Sequence, residues 1–255
     1  MNNVTKSLKI LFCDIEISPQ LTYTWPHTGK QYITYEQILE DSKIIMISYK
    51  WAGKKKVYNI TWDEEQNDKC VVDAFQYDTQ AADVIIGHNS QNFDLKHIQA
   101  RLCDHNLNPL NIKMPEDTYR MVKKKFALPS YKLDYLVKRY GLGSKLHLGG
   151  WDSWKAVCWN DDRKMLEKMV KYCNMDVLLS EKLYWRVYGY VDHPFNLAVI
   201  NENKEICPKC ASKDVIKRGF NHTKAAKRQI LQCNNCYRYS VVGANLIEDS
   251  SEYPR

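Results

Sequence analysis

Residues 8–17, Leu-Lys-Ile-Leu-Phe-Cys-Asp-Ile-Glu-Ile, read as a strand buried inside a sheet, yet the run contains two carboxylates, Asp14 and Glu16. Branched and aromatic residues follow one another here without the alternation of a half-exposed strand. Residues two apart on a strand point to the same face, so the two acids lie side by side. Burying two like charges without a counter-charge is costly. Either this face meets a cation or the end of the strand opens to water, and whatever packs around the strand must accommodate one or the other.

The surrounding pattern is that of an α/β sheet. Residues 43–50 and 56–62 are two further apolar segments joined through Ala52-Gly53-Lys54, the signature of a hairpin. An amphipathic helix over 68–80 follows, then a short apolar strand over 82–88 and a helix over 92–106 with Phe93, Leu95, Ile98 and Leu102 at core spacing. Three strands followed by helix, strand and helix predict a mixed sheet flanked by helices. Further helices are expected over 117–126, 132–140, 161–172 and 174–188, with a glycine-rich loop from Gly141 to Gly150 and Pro109, Pro115 and Pro129 marking boundaries.

The nine cysteines set the domain organisation. Cys13, Cys70, Cys103, Cys158 and Cys173 are scattered and suit a reducing compartment, where thiols behave as small buried hydrophobes. Cys207-Pro208-Lys209-Cys210 and Cys233-Asn234-Asn235-Cys236, separated by 22 residues, instead form two knuckles fit for one tetrahedral Zn²⁺. Four thiolates leave no ligand position open, so this zinc is expected to be structural. A redox Cys-x-x-Cys would not come in two copies outside a βαβ unit. Val215–Phe220 and Arg228–Gln232 read as the strands of a ribbon similar to those attached to transposases. With a linker over 192–205, the expected domains are 1–198, a zinc ribbon over 199–243 and a flexible tail over 244–255. Lys209, Lys213, Lys217, Arg218, Lys224, Lys227, Arg228 and Arg238 make the ribbon basic, with Phe220, Tyr237 and Tyr239 among them. Such a surface suits phosphates and stacked bases; a structural or protein-docking ribbon is the other reading.

A net charge of +7 with pI near 8.8 also suits a polyanionic partner. The first residues are polar, and no apolar run approaches the ~20 residues of a membrane helix. The expectation is a soluble, cytoplasmic chain without a signal peptide or a membrane partner.

Two more segments carry possible chemistry. In Gly87-His88-Asn89-Ser90-Gln91-Asn92-Phe93-Asp94 a strand ends and a helix begins. Asn92 or Ser90 could cap that helix, and its dipole favours Asp94 in the first turn. Tyr172 and Asp176 stand at i and i+4 on one helical face, a spacing that an ordinary helix surface also shows.

Taken together, Asp14-Ile15-Glu16, Asn89 through Phe93-Asp94, and Tyr172 through Asp176 resemble the three exonuclease motifs of the DEDD superfamily. They match its D-x-E, N-x-x-x-F-D and Y-x-x-x-D forms in order, the last in the tyrosine (DEDDy) subclass. The resemblance covers roughly residues 8–190, includes Asp117-Thr118 and Leu133-Asp134-Tyr135-Leu136, and is closest in flavour to small phage or bacterial exonucleases.

The resemblance implies a ribonuclease-H-like, mixed five-stranded sheet flanked by helices. It also implies 3′→5′ hydrolysis of phosphodiester bonds by two Mg²⁺ or Mn²⁺ ions about 4 Å apart. On that pattern Asp14 bridges both ions and Glu16 and Asp176 complete the nucleophile side. Asp94 serves the other ion through water, and Tyr172 orients the attacking water. Asn89, Phe93, Trp25, Lys145, Arg218 and Arg228 are the expected substrate contacts. Tyr23, Trp25 and His27 would stack on a terminal base or simply pack the sheet edge. Lys145 would meet a phosphate or be an exposed loop lysine. His88 and His97 are read as structural or substrate contacts, because the tyrosine subclass uses no histidine base, and Lys123-Lys124-Lys125 as a solvated helix face. The implied substrate is nucleic acid, single-stranded DNA or recessed 3′ ends ahead of RNA, in the host cytoplasm if the chain is phage-encoded, with replication or recombination proteins as partners. A structure-selective endonuclease on the same fold and a catalytically silent nucleic-acid-binding or docking protein are the alternatives.

Overall fold

The computed structural model describes residues 2–26, 32–223 and 227–241. His27, Lys224 and the expected tail over 244–255 lie outside the described residues. The chain divides into two compact units, Lys9–Val187 and a second that joins Met1–Leu8 to the chain from Tyr188 onward.

A short helix α1 (Asn2–Ser7) precedes the first unit. That unit opens with β1 (Ile10–Ile17), the small pair β2 (Leu21–Thr22) and β3 (Ile38–Glu40), β4 (Ile44–Trp51) and β5 (Tyr58–Thr61). Helix α2 (Lys69–Thr79), β6 (Val84–Gly87), α3 (Asp94–Asp104) and β7 (Met114–Asp117) follow. The unit closes with α4 (Thr118–Lys125), α5 (Leu133–Arg139), α6 (Trp151–Trp159) and α7 (Arg163–Val187).

The main sheet has five strands in the order β5-β4-β1-β6-β7. β1 pairs antiparallel with β4 and parallel with β6, which makes the sheet mixed, as expected. Its central position explains why its sequence is apolar on both faces: Leu11, Phe12 and Cys13 are fully buried. Phe12, Asp14 and Glu16 share the face covered by α7, where Phe12 meets Tyr184 edge-on at 5.5 Å. Lys50 of β4 forms an ion pair with Glu181 of α7 across this layer.

Three elements differ from the sequence expectation. The helices expected over 161–172 and 174–188 are one helix, α7, because Met169, Cys173, Val177, Ser180, Leu183, Tyr184 and Val187 keep a single buried stripe running through Asn174. β7 contains Pro115 and was not anticipated; as the edge strand it needs no ladder donor on its outer side, which is where proline is tolerated in a sheet. α6 begins directly after Gly149 and Gly150 and is fixed by Trp154, whose indole donates to the Ile17 carbonyl at 3.0 Å.

The second unit contains α1, α8 (Leu197–Ile200) and an antiparallel sheet of β8 (Val215–His222), β9 (Lys227–Cys233) and β10 (Tyr239–Val241), ordered β10-β9-β8. The units part at Val187 and Tyr188 rather than at residue 198. Tyr188 stacks on His193 at 4.0 Å, His193 stacks on Phe195 at 5.1 Å, and Tyr188 packs against the cysteine cluster. The N-terminal helix also belongs to this unit: Val4 is buried, and Ser7 and Asn201 exchange hydrogen bonds of 3.0 and 2.9 Å. Among the described residues no helix is long and apolar enough to cross a membrane.

Gly87, at the end of β6, allows the loop that follows to lie against β1. A Cβ there would stand 2.4 Å from the Ser90 Cβ and 3.2 Å from the Cys13 carbonyl oxygen. Gly87→Ala must therefore push the 88–93 loop away from β1, at a cost of about 1–3 kcal/mol. Urea denaturation should show the midpoint fall; an unchanged midpoint would mean that the contact relaxes freely.

Candidate active site and four-cysteine centre

Parallel pairing of β1 with β6 puts their carboxyl ends together, the edge at which open α/β sheets hold ligands. β1 carries Asp14 and Glu16 to this edge. β6 ends at Gly87, and the following loop turns through Asn89, which is left-handed at φ 70°, a conformation asparagine tolerates better than most residues. The loop brings Asp94 back to β1, where its Oδ1 accepts the Ile15 backbone N–H at 3.1 Å. Neither Ser90 nor Asn92 caps α3: the residue preceding the helix is Phe93, and no side chain bonds the helix end. Asp94 is thus held by the strand, and the capping expectation is corrected.

Asp117 braces this loop. Its Oδ1 accepts from Asn89 N and Tyr119 N, each at 2.9 Å, and its Oδ2 accepts from Gln91 N at 3.1 Å. The Thr118 hydroxyl lies 3.0 Å from the Gly87 carbonyl. His88 Nε2 donates to the Tyr131 carbonyl at 2.9 Å, and Nδ1 lies 2.9 Å from the Thr118 hydroxyl. Burial lowers the pKa of this ring and keeps it neutral, so His88 acts as a strut.

The opposite wall is α7. Cys173 Sγ donates toward the Asp14 carbonyl at 3.4 Å and Asp14 Oδ2 at 3.5 Å. Burial, then the Asp14 and Glu16 charges, push this thiol well above its usual range, so it remains a proton donor. One ligand atom each from Asp14, Glu16 and Cys173 lies within 4.8 Å of the others. One turn further along, Asp176 is 3% exposed; its Oδ2 pairs with Lys145 Nζ at 2.5 Å, and its Oδ1 is buried without a hydrogen-bond partner. Lys145 also donates to the Tyr172 hydroxyl at 3.2 Å. It reaches in from the Gly141–Gly150 loop and is partly buried; the exposed-lysine reading does not hold. A cavity of about 650 Å³ adjoins Tyr172 and Lys145, lined also by Asp134, Lys138, His147 and Trp154.

Burial, reinforced by neighbouring charges, shifts Asp14, Glu16, Asp94 and Asp176 upward. Burial, then Asp94, Asp176 and Glu16, raise Asp14 well above the carboxylate range. Burial and the Asp176 charge push Glu16 up to about 8, and burial pushes Asp94 up to about 7. Burial also raises Asp176, against the pull of Lys145. Burial disfavours the Lys145 ammonium, but the Asp176 carboxylate prevails and raises its pKa. Lys145 pairs with Asp176, and its charge also lowers the pKa of Asp14 and of Glu16. The orphaned Asp176 oxygen and a donor set dominated by carboxylate oxygen fit hard divalent cations.

The expected substrate contacts divide differently. Trp25 is 79% exposed near β2, and Phe93, 39% exposed, meets His97 edge-on at 4.6 Å. The Asn89 side chain accepts from Asn92 at 3.3 Å. Sequence reasoning missed Cys173 and Asp117 as parts of the site; nothing in the sequence pairs position 173 with 14 or 117 with 89, although Asp117-Thr118 stood out as a motif.

In the second unit the four expected cysteines converge. Sγ–Sγ distances are 3.7 Å for Cys207–Cys236 and 3.6 Å for Cys210–Cys233. A tetrahedron with metal–sulfur bonds of ~2.3 Å places its sulfurs ~3.8 Å apart; a disulfide would need ~2.05 Å. Ala211 and Tyr237, each following the second cysteine of its knuckle, take left-handed backbone at φ 53° and 57° and turn the chain away from the cage. Lys209 N points at Cys207 Sγ at 3.4 Å.

Residues 34–188 match the family profile described as the RNase_H superfamily, a span that begins after Asp14 and Glu16. No curated protein matches the chain. Among solved structures, the fold is similar to that of the family B DNA polymerase from the hyperthermophilic archaeon Pyrobaculum calidifontis. The TM-score is 0.55 at 16% identity, over 71% of this chain and 25% of the polymerase. The chain therefore corresponds to about a quarter of that protein's length, and the likeness is one of fold.

The crowded acids make stability pH-dependent. Glu16 and Asp94 release their protons near 8 and 7 in the folded chain, against about 4 when unfolded. The folded state holds the extra protons across that window, so without divalent cations stability is greatest on its acid side and falls as pH rises from about 4 to about 8. Divalent cations held by these carboxylates would replace those protons, so the thermal shift produced by Mn²⁺ should grow with pH. Melting curves with and without Mn²⁺ at about pH 5.5 and about pH 8 test this; a Mn²⁺ shift larger at the acid pH would contradict it.

Proposed function

We infer that the chain, which belongs to the RNase H superfamily, is a metal-dependent nuclease that removes nucleotides from the 3′ ends of nucleic acid, with DNA preferred to RNA. Superfamily membership supports a nuclease. The observation that carries the finer reading is the gathering of Asp14, Glu16, Asp94 and Asp176 at the end of one central strand, beside a tyrosine hydroxyl held by a lysine.

Asp14, Glu16, Asp94 and Asp176 would hold divalent cations. Bound there, such cations would supply Lewis-acid chemistry, lowering the pKa of a water nucleophile and stabilising the leaving 3′ oxygen. The chain's own groups do the rest. Tyr172, with one lone pair occupied by the Lys145 ammonium, offers its hydroxyl proton to a water or phosphate oxygen entering the cavity beside it. Lys145 pairs with Asp176 and partly offsets the upward shift that burial imposes on that carboxyl. Cys173 fixes the Asp14 rotamer by donating to its Oδ2, while the Ile15 N–H does the same for Asp94. The surrounding apolar core excludes bulk water from all but the open edge.

Asp14→Ala should lower cleavage at least 1,000-fold, a loss of about 4 kcal/mol in transition-state stabilisation, with the fold retained. Tyr172→Phe should cost about 100-fold through mispositioning. The decisive assay compares 3′-labelled linear with circular single-stranded DNA: mononucleotides released from the linear substrate alone support the assignment, whereas cutting of circles identifies an endonuclease. Matched RNA oligomers test the preference for DNA. We further propose that the four thiolates hold one structural zinc. Atomic absorption should find one zinc per chain and Cys233→Ser should lose it; a zinc-free chain with an ordered second unit would refute this.

A further inference from the structure

We propose that one face of the second unit's sheet is a binding site for single-stranded polynucleotide, built from Lys204, Lys213, Lys217, Lys227 and Phe220. This rests on the nucleic-acid reading above and goes beyond it by assigning the strand-holding site to one face of the sheet.

Cross-strand partners and alternate residues of a strand share a face. Lys227, Gln229, Leu231 and Cys233 of β9 therefore lie on one side, and their partners His222, Phe220, Lys217 and Val215 of β8 join them. Lys217 and Phe220 are three apart in sequence and would ordinarily fall on opposite faces. The register shift between them, at Gly219 with φ 89°, brings both to this side. Beside it lies a cavity of about 470 Å³ with Val215 and Leu231 as its apolar floor. Lys204, Lys213 and Lys217 rim it, with Glu205 as the one acidic group among its lining residues. All three lysines are exposed, and among the described residues none is paired with a carboxylate. At the far end Phe220 is 48% exposed, and the Lys227 ammonium stands 4.2 Å from its ring centroid.

An apolar floor rimmed by unpaired ammonium groups and continued by a ring suits unstacked bases flanked by phosphates. The two arginines expected to contact substrate lie elsewhere. Arg228 pairs with Asn221 on the opposite face and is partly buried, and Arg218 donates through Nε to Gln232 of that same face at 2.7 Å.

The test uses the full-length, zinc-loaded chain carrying Asp14→Asn to prevent cleavage, with fluorescein-labelled oligothymidylate titrated by anisotropy across a range of NaCl. Replacing Lys204, Lys213 and Lys217 together by glutamine should reduce the slope of log K against log salt by about 2, at ~0.7 per single-strand phosphate contact. Phe220→Ala should weaken binding about 5- to 100-fold with the slope unchanged. Arg218→Gln, on the other face, should alter neither. Zinc content verifies that each variant is folded. An unchanged slope in the triple variant overturns the assignment and leaves protein docking as the role of this face; an equal loss in Arg218→Gln overturns the choice of face. Oligouridylate in parallel distinguishes DNA from RNA as the occupant. Because binding is read on an inactive chain, failure of the catalytic assignment in the cleavage assay is scored separately.

Discussion

Four carboxylates around the end of one buried strand, answered by a single ammonium group, are the constraint on which the first unit is organised. Two of these acids lie on β1 itself, and one arrives from each side, Asp94 through the loop after β6 and Asp176 from α7. Burial is the largest cause of the upward pKa shifts at Asp14, Glu16 and Asp94, and neighbouring carboxylates add to it. Such a cluster is stable as a set of ions only with additional positive charge, which a divalent cation would supply.

The neighbouring structure holds the cluster in place. Asp117 fastens the 88–92 loop through two backbone donors, His88 ties that loop to the 131 region, and Gly87 lets it approach β1 closely. On the other side α7 runs unbroken for 25 residues, so Tyr172, Cys173 and Asp176 are positioned by a helix whose far end is anchored by Tyr184 against Phe12 and by the Lys50–Glu181 pair. Groups on rigid elements with bonded supports lose little entropy when a substrate arrives. The Gly141–Gly150 loop that delivers Lys145 is the least regular part of the wall.

The two polar centres of the chain differ in kind. Carboxylate oxygens in the first unit suit hard cations, and the four thiols of the second would suit a soft or borderline one. The second unit draws on both ends of the chain, with Val4 and Ser7 packed or bonded beside residues near 200, which makes the cysteine cage and the N-terminal helix parts of one structure.

Much of this was legible in the sequence because it depends on local periodicity and spacing. The apolar run of β1 interrupted by Asp14 and Glu16, the hairpin of β4 and β5, the strand–turn–helix ending at Asp94 and the two cysteine knuckles are short-range patterns. What escaped required neighbours distant in the chain. Pro115 marked only a boundary until β7 lay at the sheet edge, the two helices expected over 161–172 and 174–188 became one through a continuous buried stripe, and the structural units divide at Val187 and Tyr188. Lys145 read as a loop residue until the fold brought it to Asp176, and Cys173 as an inert thiol until α7 laid it on Asp14. The sequence by itself determined the local elements and the spacing of the candidate groups. Tertiary structure decided which of them face one another, because a carboxylate's charge state, a lysine's partner and the exposed face of a ribbon follow from packing between segments that no local pattern links.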